Sequence, residues 1–136
     1  MVSNLSIGLV GVGGRGGQFA SAIADHDRAR VHAVCDVDDG ALAEAQDALE
    51  AEEAYEDYGT MLGEPALDAV VIGTPMPLHA PQAVDALERD VHVLSEVPAA
   101  VSIEECREIV EAAAASRATY AMAENFVYRR QNMLVA

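Results

Sequence analysis

Lysine does not occur in this 136-residue chain; all eight cations are arginine, set against 23 aspartates and glutamates. A net charge of −15 excludes nucleic-acid binding by phosphate neutralisation, which needs clustered Lys and Arg. Aromatics are scarce too, with two phenylalanines, four tyrosines and no tryptophan. Tyr55, Tyr58, Tyr120 and Tyr128 are too scattered for a stacking platform and read as packing residues. The two cysteines, Cys35 in an expected core strand and Cys106 on an expected helix, make no disulfide framework. Both read as small buried apolar residues. No apolar run reaches the ~18 residues of a membrane span, and the first residues lack the basic start and apolar core of a signal peptide. The expectation is a cytoplasmic protein with neither a membrane nor a nucleic acid among its partners. His26, His32 and His92 lack ligand spacing and read as structural, so no metal is expected.

An apolar fraction of 51% rules out a disordered acidic segment. Acidic runs such as residues 50–57 read instead as solvated surface. Alanine-rich helices and absent lysine fit a high-salt cytoplasm, where self-repulsion is screened over ~3 Å at 1 M salt. An ordinary acidic mesophile is the alternative, and melting in KCl from dilute to molar separates the two. The halophilic reading expects the melting temperature to rise with salt; a flat or falling curve refutes it.

The densest information lies in residues 7–36. An apolar strand, Leu5 to Val10, runs into a G-V-G-G-R-G turn, residues 11–16. Gln18 to Asp25 reads as a helix, and the next strand, Val31 to Cys35, delivers Asp36 twenty residues after Gly16. This is the dinucleotide-binding fingerprint in its structural context. Gly11 permits the tight turn, Gly13 lets backbone approach a pyrophosphate, and Gly16 lets helix and strand pack closely. The helix N-terminus offers N–H groups to the phosphates, and Asp36 accepts from the adenosine ribose.

Beyond the fingerprint, short apolar runs alternate with longer-period segments. Further strands are expected at Ala69 to Ile72, Val91 to Leu94 and Thr119 to Met122, apolar on consecutive residues as in parallel strands covered on both faces. Ala80, Ala83, Val84 and Leu87 form one helical stripe, and Ile103, Cys106, Val110 and Ala113 another. Ser102 and Glu105 form a capping box at the head of the second helix, where Glu104 and Glu105 suit the macrodipole. Right-handed crossovers then give an α/β, Rossmann-type doubly wound parallel sheet. Its expected extent is residues 1–125. Residues 126–136 read as the start of a helix that ends without a glycine cap or proline, leading toward a missing domain.

Two loops narrow the reading. Thr74-Pro75 with His79 follows the third expected strand, and Glu96-Val97-Pro98 follows the fourth. With the fingerprint, they make the chain resemble the glucose–fructose oxidoreductase, inositol dehydrogenase and rhizopine-catabolism family, Gfo/Idh/MocA, over its whole length. That family reads T-P-x-x-x-H and E-K-P in these loops. The resemblance implies the NAD-binding half of a two-domain oxidoreductase, with a C-terminal α+β domain that forms the substrate pocket and carries most homo-oligomer contacts. Gly11, Val12, Gly13, Arg15 and Gly16 would line the pyrophosphate and Asp36 the ribose. Thr74, Pro75 and His79 would flank the cofactor near its middle. Glu96 would hold the nicotinamide ribose, beside Pro98, and Asn125 would lie near the nicotinamide. For His79, packing on its own helix is the alternative to a cofactor contact.

One position departs from the family. Val97 stands where the family has a proton-handling lysine, and no lysine elsewhere can substitute. The catalytic residue therefore stays unassigned. Oxidation of a sugar, cyclitol or related polyol is the leading expectation. A redox-neutral, NAD-using sugar enzyme of glycosidase or epimerase type is the second, and a cofactor-binding sensor without turnover the third.

Overall fold

The computed structural model describes residues 4–14 and 16–124. Arg15, Asn125 and the expected helix at 126–136, with Tyr128, lie outside the described residues. Six strands form one parallel sheet: β1 (Leu5–Val10), β2 (Ala29–Cys35), β3 (Glu53–Tyr55), β4 (Ala69–Ile72), β5 (His92–Ser95) and β6 (Tyr120–Met122). Their spatial order is β3-β2-β1-β4-β5-β6, the doubly wound order in which the chain reverses direction between β1 and β4. The helices are α1 (Ala20–Ala24), α2 (Asp39–Leu49), α3 (Tyr58–Met61), α4 (His79–Leu87) and α5 (Ile103–Ala115).

Strand alternation sends successive side chains to opposite faces, and both faces of the central strands are covered. Leu9, Val34 and Val71 pack with Ile23 of α1 and Leu42 of α2 on one side. Val10, Val70, Ile72 and Val93 pack with Ala83 and Leu87 of α4 and Ile109 of α5 on the other. This explains the consecutive apolar residues of β4 and of the second half of β1. None of the described helices is long and apolar enough to cross a membrane.

Several expectations change, including the starts of β2, at Ala29 and not Val31, and of β6, at Tyr120 and not Thr119. The helix after the glycine turn begins as a 3-10 turn at Gly16–Phe19 and becomes α-helical only over Ala20–Ala24. Residues 50–57 are not solvated surface alone. Their backbone supplies β3, paired to β2 through Ala33, Val34 and Cys35, while Glu53 and Glu56 keep their side chains exposed. The strand starting at Val91 begins one residue later, at His92.

The stripe on α5 is rotated by about a quarter turn. Ile109, Ala112 and Ala113 face the core, whereas Ile103 and Val110 are exposed. Cys106 is exposed as well, contrary to its reading as a buried residue. Alanines on several sides of the helix make two stripes compatible with the pattern, and close packing on α4 selects the one with the smaller side chains.

The turns before β5 and β6 are tied by one charged contact. Asp90, at φ 59°, accepts hydrogen bonds from the Arg117 guanidinium (2.7 and 3.0 Å), the Arg117 N–H (2.8 Å) and the Ser116 hydroxyl (3.1 Å). The Arg117 side chain foremost, then its N–H, holds the Asp90 carboxyl down to about 2. A depressed carboxyl contributes stability above its unfolded value and loses it as pH falls through the folded one. Asp90→Asn keeps a residue that tolerates left-handed backbone. We expect it to melt below the native chain at pH 7, with the difference closing as pH approaches 2.

Candidate functional site

The carboxyl ends of β1 and β4 meet at the reversal point of the sheet. Gly11 donates its N–H to Cys35 O (2.9 Å), and Gly73 donates to Val10 O (2.8 Å). Gly11 has φ +80°, and a Cβ there would lie 2.8 Å from the Gly73 carbonyl carbon and the Thr74 nitrogen. A Cβ on Gly16 would lie 2.8 Å from Val10 O and Gly11 O. The expected turn and helix-packing roles of these two glycines are therefore met in the backbone. Gly13 is constrained differently. Its N–H donates to Asp36 Oδ2 (2.8 Å), and a Cβ would meet Ala41 at 3.1 Å. Gly14 faces open space.

Asp36 ends β2, and its Oδ1 accepts the Asp38 N–H at 3.0 Å. The carboxylate is thus fixed beside the glycine turn. A cavity of about 500 Å³ lies between them, lined by Gly11, Gly14, Asp36, Val37, Thr74 and Pro75 among others. A second cavity, about 390 Å³, shares Thr74 and Pro75 and runs on to Glu96 and Val97. The two adjoin at Thr74 and Pro75, and the term trough denotes the pair, from Asp36 to the β5 loop. Val12 is buried beneath the turn, in the core on the α1 side.

Within the trough, Thr74 donates its hydroxyl to Gln82 Oε1 (2.6 Å), and Glu96 Oε2 accepts the Val97 N–H (3.1 Å). Glu96 is buried, and Pro98 lies exposed just beyond it. His79 stands between the two loops that border the second cavity. The ring is buried, with Nδ1 2.7 Å from Pro98 O and Nε2 2.8 Å from Thr74 O. Both nitrogens are committed to backbone carbonyls, so His79 ties two loops together while its ring borders the second cavity.

Several trough residues were not indicated by the sequence pattern: Cys35, Val37, Glu56, Tyr58, Leu78 and Gln82. Glu56 arrives because β3 pairs with β2. Tyr58, whose hydroxyl donates to Gln82 O (2.7 Å), arrives with α3. The helical spacing of Gln82 from His79 was the one available signal. Burial first, then the Asp36 carboxylate, pushes the Cys35 thiol up to about 11, so it is no nucleophile at neutral pH.

The remaining histidines lie away from the trough. His26 and His92 accept backbone N–H groups through Nδ1. His32 is buried beside Glu52 (3.2 Å) and Glu64 (3.8 Å). Among the described residues, no group of three His, Cys, Asp or Glu side chains is placed to hold a metal ion. One bond of the expected capping box is formed, Glu105 N–H to Ser102 Oγ (3.1 Å), while Glu105 Oε2 accepts from Val101 N–H (2.8 Å), one residue before the cap, instead of from Ser102.

Comparison with known proteins places this geometry. A glycosyl hydrolase family 109 protein of Shewanella woodyi is 34% identical over 98% of the chain, which covers 31% of that protein. The WlbA dehydrogenase of Bordetella pertussis, crystallised with NADH and UDP-GlcNAcA, superposes with TM-score 0.90 at 31% identity, over 98% of this chain and 38% of its own. The apo scyllo-inositol dehydrogenase of Lactobacillus casei gives TM-score 0.88 at 30% identity, over 99% of this chain and 42% of its own. The chain thus spans about a third of the curated relative's length. The family model for the oxidoreductase family with NAD-binding Rossmann fold matches residues 5–124. The chain belongs to that family, Gfo/Idh/MocA, and is its NAD-binding Rossmann domain.

Proposed function

We propose that this chain holds NAD in the trough from Asp36 to Val97 and presents the nicotinamide to a sugar, cyclitol or related polyol. The observation that carries the reading is that two neighbouring cavities, sharing Thr74 and Pro75, lie at the carboxyl ends of the strands where the strand order reverses, the place where open α/β sheets bind ligands. Its parts fit a dinucleotide. Asp36 is a fixed acceptor for ribose hydroxyls, Gly14 leaves room beside the turn, and Gly11, Val12, Gly13 and Gly16 shape the floor for a pyrophosphate. Thr74 and Pro75 border the middle, and Glu96 and Pro98 the far end. Arg15 and Asn125 belong to the same proposed set by position in the motif. When bound, the cofactor supplies the hydride acceptor. The protein's share is to orient it and to place a proton acceptor at the substrate hydroxyl.

Val97 bears on that second task, since an alkyl side chain can neither give nor take a proton. It favours a second reading, redox-neutral cleavage or epimerisation of a sugar in which NAD is reduced and then regenerated. The likeness to a glycosyl hydrolase family 109 protein supports the same reading. The whole protein, assayed with NAD over free sugars, cyclitols and aryl glycosides, decides between them. Net absorbance gain at 340 nm supports oxidation. Release of the phenol, or formation of an epimerised sugar, without net NADH supports the redox-neutral course, and no product of any kind would defeat both.

The 136 residues by themselves should bind NADH without turnover. Chemistry requires a substrate held within ~3.5 Å of the nicotinamide and a positioned acid–base group, and Val97 supplies none. Val97→Lys alone should not restore activity. Clear cofactor-dependent turnover by this chain would refute the reading of it as the cofactor-holding part.

A further inference from the structure

His79 presents a donor problem that its family position does not explain. Both ring nitrogens face backbone carbonyl oxygens, Pro98 O at 2.7 Å and Thr74 O at 2.8 Å, and the ring is 1% exposed. Carbonyl oxygens only accept, whereas a neutral imidazole donates from one nitrogen and carries a lone pair on the other. A neutral ring would therefore make one hydrogen bond and press its lone pair against the second carbonyl. With so little exposure, water is poorly placed to relieve that contact.

We propose that His79 carries both ring protons at neutral pH and acts as a buried imidazolium clamp between the β4 and β5 loops. Burial opposes the charge, and two charge-assisted bonds favour it. Among the described residues, the two clamped loops contribute one carboxylate. Residues 73–78 contain no titratable side chain, and Glu96 is the only one in residues 96–102. Glu96 lines the same cavity as His79. On α4, the nearest acid is Asp85, six residues along from His79. On α5, Glu105 is engaged by Val101 N–H. Tyr58 of α3 donates its hydroxyl to Gln82 O, a helical turn from His79.

The clamp has a consequence for ligand binding, which rests on the proposed cofactor site. One imidazolium sets the spacing between Thr74, in the middle of the trough, and the Glu96 loop at its far end. His79 is then a positioning residue, acting through the two loops it holds. Loss of one proton breaks one of the two bonds, and the loop on that side moves away from the trough.

The test uses the native 136-residue chain labelled with 15N-histidine, its four histidines assigned through backbone connectivities. Ring-nitrogen spectra from pH 6 to 9 read the protons directly. The clamp expects both His79 nitrogens protonated at pH 7. A single protonated nitrogen at pH 7 overturns it. NADH titration over the same range is the second arm. Affinity should fall by about tenfold across any pH at which the ring loses a proton, the size of one charge-assisted hydrogen bond. An unchanged dissociation constant through that step also overturns the clamp. If NADH fails to bind at every pH, the cofactor reading fails, and the ring spectra still decide the clamp.

Discussion

Gly11→Ala should lower the melting temperature by about 10 °C or more, whereas Gly14→Ala, three residues away, should leave it within a degree or two. Two costs coincide at Gly11. Its φ of +80° lies in a region where a Cβ costs roughly 1–2 kcal/mol. The added methyl would also sit 2.8 Å from the Gly73 and Thr74 backbone, and no rotamer relieves contact with main chain. Overpacking of this kind adds roughly 1–3 kcal/mol, so the total is about 2–5 kcal/mol against a domain stability of about 5–15 kcal/mol. Gly14 has ordinary φ, and a Cβ there meets nothing within 4 Å. That methyl projects into the space bordering the trough. Gly14→Ala should accordingly fold normally and bind NADH more weakly. Differential scanning calorimetry and NADH titration separate the two outcomes. Equal melting temperatures for both variants would show that the β1 and β4 ends do not approach as described.

The contrast between these glycines marks what could be read from the chain and what could not. The G-V-G-G-R-G turn, its strand and Asp36 are close in sequence, and their spacing carries the geometry. β1 and β4 stand at their expected bounds because each carries consecutive apolar residues covered on both faces. β3 was illegible for the opposite reason. It is three residues long, sits among acids, and owes its strand conformation to pairing with β2. With it went Glu56, Tyr58 and the outer wall of the trough, which only tertiary structure brings to Asp36. The α5 stripe was ambiguous because alanine satisfies either face, and packing on α4 selected Ile109 over Val110. His79 could be placed next to the site from its motif, but not the two backbone partners it holds. A motif shows that a histidine is needed, but carbonyls from residues 74 and 98 show what it holds.

Asp36 carries the other large expected effect, a preference of the native chain for NADH over NADPH of at least tenfold. Its carboxylate is held at the trough by the N–H groups of Gly13 and Asp38, so it cannot swing away from a ligand without breaking both bonds. A 2′-hydroxyl could donate to it. Losing a hydrogen bond of this charged kind costs about 1.5–3 kcal/mol, or roughly tenfold to a hundredfold in affinity. A 2′-phosphate would instead bring nearly two negative charges toward a carboxylate, in a neighbourhood that already holds Asp38, Asp39 and Glu56. At about 4 Å and an effective dielectric near 20, each unit charge is repelled by about 4 kcal/mol before salt screening. Repulsion therefore adds to the lost hydrogen bond, and the discrimination should weaken as ionic strength rises. Asp36→Asn tests the charge with little change of shape, since its amide oxygen can still accept one backbone N–H. It should weaken NADH modestly, strengthen NADPH, and bring the two dissociation constants within a fewfold of each other. Fluorescence titration of both nucleotides at low and high KCl reads all of these quantities. Equal affinities in the native chain, or a ratio that Asp36→Asn leaves untouched, would remove Asp36 from the ribose.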